Sequence, residues 1–215
     1  MTSKEVCARI EEVGIVAALR LESEEDAVFA AEALIGGDIP IIEIPLTVPG
    51  ATRVISHLVK AYPHAVVGAG GVRRLSTAHQ CLDAGALFLT SDGLHPAVVE
   101  FAAQEEIVGI PGALTPTEVM HAWEAHSRFV KVVPCAQIGG ETYIGSLHRM
   151  YPHIPLIAAG GVSQKNASKF IFAGATALGI GRELLPIDAI RQRHAGRISN
   201  LAQRFLSYVK SGRGH

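Results

Sequence analysis

The sequence is short of several things, and each shortage removes a class of protein. There are three cysteines, Cys7, Cys81 and Cys135. They are widely spaced, odd in number and form no CxxC pair. Such a set supports neither a disulfide framework nor a zinc site, and it predicts a reduced, cytoplasmic protein. Net charge is almost absent: 19 Lys and Arg stand against 20 Asp and Glu, a formal charge of -1. A nucleic-acid binder would carry a basic excess, so no nucleic-acid partner is expected. A small anion needs only a local site and remains open. No apolar run approaches the ~20 residues that span a bilayer, so no membrane partner is expected. The polar opening MTSKEVCARIEE lacks the apolar core of a signal peptide. The ten histidines form no HxH or HxxxH pair, so they suggest no metal site. Low-complexity linkers and runs of like charge are missing too, which predicts one domain over residues 1–215.

Apolar residues are abundant, at 48% of the chain, and they recur in a unit. A short β-branched run is followed by a Gly, Pro or Ser turn, then by a polar-apolar helical stretch. Candidate strands cover residues 14–19, 39–44, 65–67, 86–90, 107–110, 128–133, 154–158 and 175–180. Their continuous apolar character fits strands buried on both faces, as in a parallel sheet under helices. Candidate helices cover 24–35, 51–62, 76–84, 97–105, 117–126, 142–151 and 164–173, with apolar residues at helical spacing. Ser23 is a candidate N-cap, and Gly36, Gly37, Gly85 and Gly174 are candidate helix exits. Residues 188–210 read as one long amphipathic helix, and residues 1–13 as a short extra N-terminal helix closing the bottom. Eight strand–helix units in this length predict an α/β protein with a (β/α)8 TIM barrel. A doubly wound open sheet with fewer strands is the competitor.

Two charges stand in apolar strands. Lys131 lies within RFVKVV and Glu43 within IIEI. Lysine and glutamate are almost never fully buried unless paired, so one reading is a structural ion pair between them. The other is chemical. A lysine among apolar neighbours has its ammonium form disfavoured, and a neutral amine attacks a carbonyl to form a Schiff base. A nearby carboxylate can shuttle the protons of each step. Strand alternation places Phe129, Lys131 and Val133 on one face, which is expected to point inward with Glu43 in reach, directly or through water.

Catalytic groups of barrels collect at the C-terminal ends of the strands. Besides Lys131 and Glu43, those ends carry Arg20, Gly70, Gly71, Pro111, Gly160, Gly161, Gly181 and Arg182. Loops after the last two strands of a barrel commonly hold phosphate. Gly160, Gly161 and Gly181, with Arg182, suit that role because glycine backbones approach an anion closely; ordinary turn glycines are the alternative. Gly70 and Gly71 either meet a substrate carboxylate or make a tight turn. Arg20 either binds an anion or is an exposed rim residue. Ser91 and Thr115 read as helix caps, and Cys135 as a small packing residue.

The order EIPL (43–46), VGAGGV (67–72), PG (111–112), FVKVVPCAQIGG (129–140), AAGGV (158–162) and GIGRELLP (179–186) resembles the 2-keto-3-deoxy-6-phosphogluconate/4-hydroxy-2-oxoglutarate aldolase family. The resemblance spans residues 14–186 and is most specific over 129–140. It implies a trimeric TIM barrel and a class I aldolase with Lys131 as the Schiff-base lysine and Glu43 as the acid/base group. Gly160, Gly161 and Gly181 match its phosphate-loop glycines. The implied reaction cleaves a 2-keto-3-deoxy-6-phospho sugar acid, of gluconate or galactonate type, to pyruvate and glyceraldehyde 3-phosphate. No metal or organic cofactor is implied. Three positions depart from the family. Thr47 stands where phosphogluconate-type members carry arginine, Gly71 where threonine is usual, and Arg182 where serine is frequent. Arg20 matches the galactonate-type arrangement. Alternative readings are an aldolase for 4-hydroxy-2-oxoglutarate or another unphosphorylated keto acid, and a barrel that binds a phosphosugar without turnover.

Overall fold

The computed structural model describes residues 1–214. Helix α1 (Ser3–Val13) opens the chain, with Thr2 and Glu5 in a reciprocal capping box. Then β1 (Ile15–Ala18), α2 (Glu24–Ile35), β2 (Ile41–Pro45), α3 (Ala51–Ala61), β3 (Val66–Gly70), α4 (Leu75–Asp83), β4 (Phe88–Thr90) and α5 (Pro96–Gln104) alternate. They are followed by β5 (Val108–Ile110), β6 (Gly112–Ala113), α6 (Pro116–Glu124), β7 (Val130–Val132) and a 3-10 turn at Ala136–Ile138. Helix α7 (Gly140–Met150), β8 (Leu156–Ala159), α8 (Ala167–Phe172), β9 (Ala177–Ile180), α9 (Ile187–Arg191) and α10 (Ala195–Gly212) complete the fold.

All strand pairs are parallel, in the order β5-β4-β3-β2-β1-β9-β8-β7-β6. The two ends of that order, β5 and β6, are separated only by Pro111, so the sheet is a nearly closed, TIM-barrel-like ring. The candidate fifth strand ends at residue 110. The chain instead continues past Pro111, which has no N–H to donate and so interrupts the ladder. Its carbonyl still accepts from Lys131 N at 2.9 Å, and this stitches the seam.

Register explains the interior. Paired residues of a parallel ladder face the same side, and every second residue follows. Lys131 pairs with Ile157, Ile157 with Ala177, Gly179 with Val16, Ala18 with Glu43 and Glu43 with Gly68. On the other flank Lys131 pairs with Gly112, and Ile110 with Thr90. One face carried around the ring therefore holds Glu43, Thr90 and Lys131. Toward the N-terminal ends of the strands it carries the large buried side chains of Val16, Ile41, Phe88, Val108 and Ile157, beside the small Gly68 and Ala177. Its upper layer is small: Ala18, Gly70, Gly112, Ala159 and Gly179. Large residues fill the bottom, and small ones leave room at the C-terminal ends.

Three local expectations differ from what is observed. The tail is two helices, broken where Arg193 takes φ 52°. That turn lets the Arg193 guanidinium pair with Asp26 at 2.9 Å and stack 4.9 Å from the Phe29 ring, tying the break to α2. At the exit of α2 the left-handed residue is Asp38 (φ 64°) and not Gly36 or Gly37, whereas Gly85 and Gly174 do take positive φ. The helix expected from Gln164 begins at Ala167, because Asn166 is engaged by the preceding loop: its Oδ1 accepts from Ser163 N and its Nδ2 donates to the Gly161 carbonyl. Helix α10 packs on α2 and α8.

Candidate active site

The upper layer opens into a cavity of about 490 Å³ at the C-terminal ends of the strands. Lys131 and Glu43 both line it, with Arg20, Asp92, Gly160, Gly161, Gly181 and Arg182. Lys131 is 6% exposed and Glu43 5%. They share the cavity, but among the described residues no ion pair joins them. The cation's carboxylate partner is Asp92, whose Oδ1 lies 3.6 Å from Lys131 Nζ. Lys131 Nζ also donates to Thr90 Oγ1 at 3.3 Å. Glu43 rests against Gly70, where any Cβ would collide with its Oε1. The close pairing of Pro45 with Gly70 and Glu43 with Gly68 fixes that approach.

The loop after β8 turns on Gly160 and Gly161, at φ 80° and 82°. A side chain there would be strained, and at Gly160 it would meet Pro134 Cα at 2.8 Å. Gly181 and Arg182 enter from the loop after β9, with Arg182 exposed at the rim. Two loops and a guanidinium thus converge on one side of the mouth. Arg20 stands at another, its side chain 64% exposed and its Nη2 3.8 Å from Asp92 Oδ1.

Pro111 is not in the cavity lining; it closes the ring. Gly71, at φ 75°, has open space where a Cβ would stand, and Thr47 is exposed in the turn after β2. Ser91 does not cap a helix. Its Oγ donates to the Gly93 carbonyl at 2.6 Å and shapes the β4–α5 turn. Thr115 does cap α6. Cys135 is fully buried, and burial pushes its thiol up to about 12, which suits a packing residue. Among the described residues no group of three or more His, Cys, Asp or Glu is arranged to hold a metal ion. Among those residues no helix is long and apolar enough to cross a membrane.

Sequence reading missed Asp92, Thr90 and Arg73. Asp92 sits in a loop where an acid is unremarkable. What places it is Gly112, 20 positions away: a Cβ there would collide with the Asp92 backbone, so glycine at 112 lets the loop lie over the strand end.

The aldolase family model described as KDPG and KHG aldolase matches residues 6–201. A protein named 2-dehydro-3-deoxy-phosphogluconate aldolase from Treponema pallidum (strain Nichols) is 28% identical, covering 93% of this chain and 95% of the relative. A probable 2-dehydro-3-deoxy-6-phosphogalactonate aldolase from Rhizobium meliloti (strain 1021) is 33% identical, covering 83% and 87%. Among solved structures, a KDPG aldolase from Legionella pneumophila holding pyruvate as a covalent carbinolamine superposes with TM-score 0.84 at 26% identity. That match covers 92% of this chain and 96% of the other.

Proposed function

This chain belongs to the KDPG and KHG aldolase family, and from that premise we propose that it is a Schiff-base aldolase. It cleaves a 2-keto-3-deoxy-6-phospho sugar acid, of gluconate or galactonate type, to pyruvate and glyceraldehyde 3-phosphate. The observation that carries this reading is a lysine 6% exposed, on the inner face of a ring, whose Nζ reaches a cavity at the catalytic end. Relatives named for both the phosphogluconate and the phosphogalactonate substrate support both epimers.

In this mechanism Lys131 Nζ attacks C2 and loss of water leaves the iminium. Glu43 takes the C4 hydroxyl proton. The C3–C4 bond then breaks, its electrons flow into the iminium, and glyceraldehyde 3-phosphate departs. Protonation of the enamine and hydrolysis release pyruvate. The iminium is itself the electron sink, so the chemistry needs neither a metal nor an organic cofactor. Gly160, Gly161, Gly181 and Arg182 hold the phosphate, and that remote binding energy positions the reacting carbons. The whole ring reads as a (β/α)8 barrel with strand five broken at Pro111 and α1 as the added N-terminal helix. We place residues 1–215 in one domain, acting as a cytoplasmic homotrimer.

Retro-aldol assays on the two C4 epimers, phosphorylated and not, test the reading through released pyruvate. At least one phosphorylated epimer should be preferred. Arg182→Ala should lower kcat/KM on it by ~10-fold or more and leave unphosphorylated acids unaffected, since a charged contact of this kind is worth ~1.5–3 kcal/mol. Equal turnover of both classes, or an equal loss on both, assigns the site to unphosphorylated keto acids such as 4-hydroxy-2-oxoglutarate.

A further inference from the structure

The carboxylate nearest Lys131 Nζ is Asp92, and three features hold it there. Gly112 leaves the space in which the Asp92 backbone lies. Ser91 Oγ ties the turn to the Gly93 carbonyl at 2.6 Å. Two guanidinium groups flank the carboxylate: Arg20 Nη2 at 3.8 Å from Oδ1 and Arg73 Nη2 at 3.7 Å from Oδ2. Of the three cations around Asp92, the two arginines cannot be deprotonated in a protein and serve only to aim it. Lys131, 3.6 Å from Oδ1, is the one with which it can exchange a proton. Glu43, held against Gly70, makes no ion pair with Lys131 among the described residues.

We propose that Asp92 is a second acid–base carboxylate, which moves protons at Lys131 Nζ while the Schiff base forms and breaks, and that Glu43 is left to the substrate hydroxyl. This rests on Lys131 being the Schiff-base lysine. The proton count closes. Asp92 takes one proton from the Lys131 ammonium, freeing the lone pair that attacks C2, while the carbonyl π electrons move to oxygen. Asp92 returns that proton to the oxygen, giving the carbinolamine. It then takes a second proton from nitrogen and delivers it to the hydroxyl, which leaves as water as the nitrogen lone pair closes the iminium. Of the three ammonium protons, two leave in the water and one stays on nitrogen. Asp92 ends as it began. Hydrolysis runs the same path backwards. At 44% side-chain exposure Asp92 is also wet enough to re-equilibrate with solvent between turnovers.

The test uses the full chain and pyruvate, with borohydride quenching at increasing times and the trapped fraction read by mass. Asp92→Asn and Asp92→Ala should each slow imine formation by ~100-fold or more, as general acid–base effects typically do. Formate should restore the Asp92→Ala rate in proportion to its concentration, which a purely structural ion cluster would not allow. Asp92→Asn keeps the shape of the side chain and guards against misfolding. Imine formation at the wild-type rate in both variants, or slow formation that formate does not rescue, overturns the proposal. Lys131→Ala is run alongside. If it still traps pyruvate, the lysine assignment itself fails; if it does not, a wild-type rate in the Asp92 variants condemns Asp92 alone.

Discussion

Lys131 shows what a single residue can and cannot announce. Its place in an apolar strand was readable, because alternation alone puts it with Phe129 and Val133 on one face. Its partner was not. The expected companion, Glu43, shares the cavity without pairing, and Asp92 supplies the contact at 3.6 Å. That contact depends on a loop held over Gly112, a tertiary relation between residues 20 positions apart that no local pattern encodes. Cys135 illustrates the converse. It lies four residues from Lys131 yet is inert by burial, with its thiol pushed up to about 12. The thiolate is the reactive form, and burial disfavours it at Cys135. Iodoacetamide should therefore modify the half-buried Cys7 well before Cys135, as read by peptide mass mapping. Rapid labelling of Cys135 would show that its pocket is wetter than described.

Elements were most readable where local chemistry and tertiary packing agree. Helix α2 runs from Glu24 to Ile35 as its Ser23 cap and apolar spacing predict, with Ser23 Oγ accepting from Asp26 N at 3.1 Å. They were least readable where a distant contact decides. The tail breaks at Arg193 because its guanidinium is drawn to Asp26 and Phe29, and strand five resumes beyond Pro111 because the ladder needs Gly112 opposite Lys131. Helix α6, which follows the seam, begins in a capping box between Thr115 and Glu118. The backbone N–H groups of Thr115, then of Leu114, hold the Glu118 carboxyl below the ordinary carboxylate range. A depressed acid stabilises the fold above its unfolded-state pKa of ~4.3 and loses that contribution as pH falls through the lower folded value. Glu118→Ala should therefore destabilise the fold at pH 7. The gap from the parent should shrink as pH drops below ~4. Urea denaturation at pH 7 and pH 3 checks this, and an equal gap at both would show that the carboxylate charge plays no part.

At the scale of the whole molecule, the ring separates stability from chemistry. The lower layer, from Val16 through Ile157, is packed with large side chains. The upper layer of Ala18, Gly70, Gly112, Ala159 and Gly179 gives up that packing to make the cavity. Every polar group of the account enters at that one end: Lys131 and Glu43 from strands, Asp92, Arg20 and Arg182 from the loops beyond them. The measurement that tests the account most directly is borohydride trapping of pyruvate on the full chain, followed by peptide mass mapping. A reduced pyruvyl adduct should appear on the peptide carrying Lys131 and vanish in Lys131→Ala. An adduct on any other lysine, or undiminished trapping in that variant, would contradict it.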